Sequence, residues 1–236
     1  MIRSALMILF AAPLLAACGA SAEVRYKVVV ELEEGGVHRS GASVWSRQLH
    51  EPTVALGTPY SGSFKGEAVA VPLSGGRTLF ALLRDWDGNE GMPMLIPERL
   101  FGDLGRGIRG EKSRFGSDRV ADIRDIASRV GESRTIDCAG GANECPLLVV
   151  FENPGDAASA RRIDPSKPAT LPAGASSLRV SVQITDEPVT VAIARQLPWL
   201  PKTIGAVVRP GPQTWTRETN LEEFGLMAGD FRRGTS

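Results

Sequence analysis

The chain has 236 residues, 42% hydrophobic and 23% charged, which is ordinary globular usage and excludes a disordered or fibrous protein. Its 27 basic residues are balanced by 27 acidic ones, so there is no electrostatic footprint for nucleic acid. The same balance leaves no bulk charge to hold an anionic membrane surface.

The amino-terminal region carries the sharpest signal. Arg3 precedes an apolar run from Ala5 to Ala17 that is broken only by Pro13. A spanning helix needs about 20 apolar residues, so this shorter run fits the hydrophobic region of an export signal. It closes on Leu15-Ala16-Ala17-Cys18, with small residues set directly before a cysteine. This tetrapeptide resembles the lipobox of bacterial lipoproteins. The resemblance implies diacylation of Cys18, cleavage before it, and a third acyl chain on the new amino group. Residues 1–17 are then a signal peptide, 18–23 a lipidated tether, and 24–236 one mainly-β domain, with 153–175 as the place of any subdivision. A single acyl chain binds membranes marginally and each buried methylene adds about 0.8 kcal/mol, so two or three chains anchor firmly. Gly19 stands where lipoproteins kept in the inner membrane often carry Asp. The resemblance therefore implies a cell-envelope protein on the periplasmic face of the outer membrane.

Acylation of Cys18 leaves Cys138 and Cys145 as a pair, and an oxidising envelope joins such a pair in a disulfide. In the chain-entropy model the short loop they close is worth roughly 2.5 kcal/mol. A redox or metal pair is the alternative, but the spacing is not C-x-x-C and no histidine lies nearby.

In chain order, Val24 to Leu32 alternates apolar and polar residues with the period of two of a half-buried strand. Gly35-Gly36 supplies a turn, and Val37 to Leu49 runs back as a second strand. Glu67 to Leu73 and Arg77 to Arg84 read as a second hairpin, in which Pro72 suits only an edge or a strand end. Residues 85 to 117 read as a long irregular connection. A helix follows over about 118–130, with Val120, Ile123, Ala127 and Val130 on one face, Ile126 beside them, and Gly131 as its stop. Pro146 to Glu152 reads as a strand buried on both faces, and 153–175 as a loop or linker. Leu178 to Thr185 and Val189 to Ala194 are β-prone and predict a hairpin across Asp186-Glu187-Pro188. Asn220-Leu221-Glu222-Glu223 has the form of a capping box opening a short C-terminal helix. The fold class expected is α+β, mainly β: an antiparallel sheet or sandwich of hairpins with one principal helix.

Candidate chemistry is sparse. His38 and His50 sit at polar positions and read as solvent-facing. No nucleophile elbow, P-loop, dinucleotide fingerprint or H-E-x-x-H helix occurs. Asp85, Asp87 and Asn89 alternate as oxygen ligands to calcium would, although the rest of an EF-hand loop is missing; a polar turn is the other reading. Arg106, Arg109, Lys112 and Arg114 form a basic stretch that could receive a phosphate-bearing lipid or a glycan, or be a solvated loop. Trp199 and Trp215, flanked by prolines, fit core packing or a sugar-stacking surface. Glu90, Glu98 and Asp103 are the carboxylates from which an envelope hydrolase would have to be built.

The stretch from Leu178 to Thr190, ending at Leu197-Pro198-Trp199-Leu200, with Leu147 to Pro154 and Asp164-Pro165 upstream, resembles a family of uncharacterised exported proteins of alphaproteobacteria. That family brings no activity with it. The expectation is a lipid-anchored envelope module without catalysis, requiring no cofactor, held to the membrane by its acyl chains and meeting an envelope protein or glycan. An envelope hydrolase and a calcium-binding module are the alternatives.

Overall fold

The computed structural model describes residues 20–51, 61–102, 119–138, 145–200, 206–208 and 225–235, with the backbone alone at 206–208. Its strands are β1 (Ser21–Glu34), β2 (Val37–His50), β3 (Ser61–Glu67), β4 (Val69–Pro72), β5 (Thr78–Asp85), β6 (Ser133–Ile136) and β7 (Pro146–Phe151), followed by β8 (Ala160–Ile163), β9 (Ala175–Ile184), β10 (Ala206–Val208), β11 (Leu226–Met227) and β12 (Arg232–Arg233). Its α-helices are α1 (Met92–Leu100), α2 (Arg119–Ala127), α3 (Ile193–Gln196) and α4 (Ala228–Phe231). The protein is mainly β, of the α+β class, as its patterning predicts.

The alternation in β1 is carried into three dimensions. Val24, Tyr26, Val28 and Val30 have no exposed surface, while the residues between them are partly solvated. Gly35 and Gly36 both take positive φ, 57° and 79°, as a two-residue hairpin turn matched to strand twist requires. The resulting β1–β2 ladder runs from Glu34 opposite Val37 to Ser21 opposite His50 without a slip. Further pairing gives a six-stranded antiparallel sheet in the order β12-β3-β2-β1-β9-β6.

A second, four-stranded antiparallel sheet has the order β4-β5-β7-β8. Pro72 ends its edge strand, where a missing N–H costs no ladder bond. The two central strands are buried on both faces. Leu79, Ala81, Leu83, Leu148 and Val150 join the core shared with β1. Phe80, Leu82, Leu147, Val149 and Phe151 face the other way, under a cover that includes Leu197, Leu200 and Phe231. The two sheets approach closely where Gly41 of β2 passes β4, since a Cβ at Gly41 would lie 2.0 Å from the carbonyl oxygen of Ala70.

Several boundaries differ from the sequence reading. The helix expected over 118–130 spans Arg119–Ala127 among the described residues, burying Val120, Ile123 and Ile126. Val130, expected on its apolar face, is 55% exposed. The chain has already turned there: Gly131 (φ +92°) donates its N–H to the Ile184 carbonyl, and the Ile184 N–H donates to that of Glu132. Residues 92–100, expected to be irregular, form α1, whose two prolines mask its helical pattern. β8 lies within the expected 153–175 loop. The predicted hairpin beyond Thr185 does not form, because β1 and β6 already occupy both edges of β9. Instead Thr190 lies against β2, donating its N–H to the Val44 carbonyl and accepting from the Val44 N–H. The capping box at Asn220 lies outside the described residues; the C-terminal helix described is α4.

Candidate functional site

Sequence places several charged residues on inward-facing positions, and these build the polar features of the interior. On β2, Trp45 and Leu49 point into the core, so the period of two sends Arg47 there as well. Arg47 meets the Glu98 carboxylate of α1, which also pairs with Arg119 of α2 at 3.3 Å. Burial, helped by the Arg119 charge, lowers Arg47 to about 10, leaving it cationic at neutral pH. Beside it, Tyr26 donates its hydroxyl to the carbonyl of Pro93. The reason lies in the sequence: Pro97 has no N–H to return to the residue four before it, so the Pro93 carbonyl is left for another donor. Burial pushes the Tyr26 phenol far above its ordinary range, which keeps it a donor.

Three further carboxylates act as fasteners. Glu34, at the end of β1, accepts from the N–H and hydroxyl of Ser74 (both 2.8 Å) and from Arg77 (2.9 Å), with Arg39 at 3.3 Å. Burial pushes its pKa up, but these donors outweigh that and leave it below the ordinary carboxylate range. Glu67 accepts from the backbone N–H groups of Ala192 (2.5 Å) and Ile193 (2.8 Å). Asp230 of α4 pairs with Arg84 at 3.0 Å and accepts from the Met227 N–H; burial, only partly offset by Arg84, leaves its pKa raised.

The calcium candidates form a polar turn. The Asp85 carboxylate accepts from the Asn89 N–H at 2.7 Å, and the Asn89 side-chain oxygen accepts from the Gly91 N–H at 2.8 Å. Two of the three oxygen donors are thus engaged within the turn, and among the described residues no cluster of three His, Cys, Asp or Glu side chains could hold a metal. Burial raises Asp85, the Asn89 N–H opposes this, and Asp87 adds to it. Of the hydrolase carboxylates, the two described have separate partners: Glu98 lies in the buried pair with Arg47, whereas Glu90 is exposed and stands 3.7 Å from Arg233. Asp103, Cys18, Trp215 and the basic residues Arg106, Arg109, Lys112 and Arg114 lie outside the described residues. Trp199 packs in the core, stacked on Phe151 and edge-on to Phe231. His38 is exposed beside Glu31 and Glu33 on the β1–β2 hairpin, and His50 is exposed at the end of β2.

Cys138 and Cys145 stand at disulfide distance, their Cα atoms 5.1 Å apart. Cys138 also borders an open cleft of about 420 Å³ at the edge of the six-stranded sheet. Ile136, Pro165 and Leu178 give the cleft its apolar wall, and Asp137 and Arg179 bring its charges. The sequence reading misses this cleft because β6 is only four residues long and β9 outruns it. The alternation through Leu178, Val180 and Val182 was the available signal.

No family model, no curated protein and no solved structure matches the chain.

Proposed function

We propose that the protein is a lipid-anchored module of the bacterial cell envelope, attached through acyl chains on Cys18 and serving in binding or structure without catalysis. The observation that carries this reading is the sequence Leu15-Ala16-Ala17-Cys18 at the end of a short apolar run. Two features support it. Ser21, three residues beyond Cys18, already begins β1, so the tether is short and the folded body rises directly from the anchor. The buried carboxylates Glu34, Glu67, Glu98 and Asp230 are engaged by internal donors that hold elements together, a structural rather than catalytic use of charge. The disulfide between Cys138 and Cys145 suits the same oxidising compartment.

Growth with an alkyne-tagged palmitate tests the reading. The expected outcome is label on the wild-type protein and none on Cys18→Ser, with a mature mass matching cleavage before residue 18. Unlabelled protein, or label retained by Cys18→Ser, would overturn it.

A further inference from the structure

The Cys138–Cys145 bridge joins two parts of the molecule that are held very unequally. Cys145 is buried in the shared core and immediately precedes β7, a strand buried along its whole length. That end of the bridge is fixed. Cys138 follows β6, which lies at the edge of the six-stranded sheet and, among the described strands, pairs with β9 alone. Ser133, Arg134 and Thr135 of β6 are exposed, and Ile136 is its single buried side chain. Arg134 forms its ion pair with Glu132 of the same segment, which adds no tie to the body of the fold.

The amino end of β6 is held independently of the bridge. The Gly131 N–H donates to the Ile184 carbonyl, the Ile184 N–H donates to that of Glu132, and the Gln183 side chain reaches the Gly131 carbonyl at 3.2 Å. The bridge acts at the carboxyl end, tying the chain just beyond Ile136 across to the second sheet. A short edge strand with one buried side chain gains little from apolar burial against the entropy of ordering it. The bridge counters this by restricting the detached state. The two sulfurs also differ in access. Cys138 is half-buried and borders the open cleft, whereas Cys145 is 3% exposed.

We propose that the Cys138–Cys145 bridge is a redox clasp, opened by a dithiol reductant, and that its opening releases β6 from the edge of β9. A thiolate of the reductant attacks Cys138 Sγ from the cleft, forming a mixed disulfide there as the bond to Cys145 breaks. The Cys145 sulfur leaves as a thiolate and takes up a proton. The second thiolate of the reductant then attacks the reductant sulfur of the mixed disulfide, and Cys138 leaves and is protonated. Two electrons and two protons have then passed to the protein, and the reductant departs as a disulfide. With the clasp open, β6 swings on its held amino end and uncovers the backbone groups of Val180 and Val182 that it had paired. This inference goes beyond the reading of the protein as an anchored module and needs no acylation.

One strand carries both the test and its control. Ile184 exchanges backbone bonds with the β6 side, so by antiparallel alternation Val182 and Val180 bond to Arg134 and Ile136. Gln183 and Ser181, between them, face Lys27 and Val29 of β1. Amide hydrogen exchange is followed by NMR on the full chain carrying Cys18→Ser, oxidised and after treatment with dithiothreitol. Exchange at Arg134, Ile136, Val180 and Val182 is expected to rise at least about tenfold on reduction, while Ser181, Gln183, Lys27 and Val29 change less than about twofold. Cys138→Ser with Cys145→Ser should reproduce the reduced pattern without reductant. A monothiol, 2-mercaptoethanol, followed by rapid alkylation, should leave its adduct on Cys138 and the alkyl group on Cys145. Unchanged exchange, an equal rise at Lys27 and Val29, a bridge that dithiothreitol opens only in denaturant, or an adduct on Cys145 would overturn the proposal. Should the double variant not fold, reduction of the native protein still decides, because both sets of amides lie along β9. Each readout is made on unacylated protein, so none bears on the anchor.

Discussion

At the scale of single residues, the interior is organised by polar groups whose partners follow from local chemistry. Pro97 deprives α1 of one backbone bond, and Tyr26 of β1 supplies the missing donor. Tyr26→Phe removes only an oxygen, yet it strands a buried carbonyl. We expect a loss of about 1–3 kcal/mol in urea unfolding, with little change in the slope. Glu34 makes a prediction about pH. Its pKa is depressed in the folded state, so its contribution is complete above the unfolded carboxylate value and is lost as pH falls through the folded one. The melting temperature of the wild type should therefore fall toward that of Glu34→Gln as pH is lowered from 7 to about 3. A gap between the two that stays constant over this range would show that the charge of Glu34 does not fasten the sheets. Arg47 was legible by period once Trp45 and Leu49 are taken as inward-facing, but nothing local to the sequence names Glu98 as its partner.

At the scale of elements, the strands that alternate cleanly or are continuously apolar were legible. β1, β2, β7 and β9 all stand close to their expected places, because burial of one face or of both imposes the pattern directly. Elements held by distant partners were not. α1 hides behind two prolines, β8 is four residues recruited by β7, and α4 with β12 gains its order from long-range contacts. Phe231 is the anchor of that last segment, fully buried against Phe80, Phe151 and Trp199. Phe231→Ala should cost about 3–5 kcal/mol and should also release the pairing of β12 with β3. Hydrogen exchange would show this as lost protection at Ala68, whose N–H donates to the Phe231 carbonyl. A variant that loses stability but keeps that protection would contradict the anchoring role. The cleft belongs to this scale too, since it arises from the mismatch in length between β6 and β9 rather than from a motif.

At the scale of the whole molecule, address and architecture come from separate parts of the chain. The sandwich follows from strand patterning, whereas the proposed anchor rests on four residues that precede the described fold. With 27 basic and 27 acidic residues, net charge offers no attraction to an anionic membrane, so the proposed anchoring makes attachment depend on Cys18. Fractionation of cells expressing the wild type and Cys18→Ser, with a high-salt wash of the membranes, tests this most directly. The account predicts that the wild type stays in the washed membranes and that Cys18→Ser is released in soluble form. Retention of Cys18→Ser in the washed membranes would contradict it.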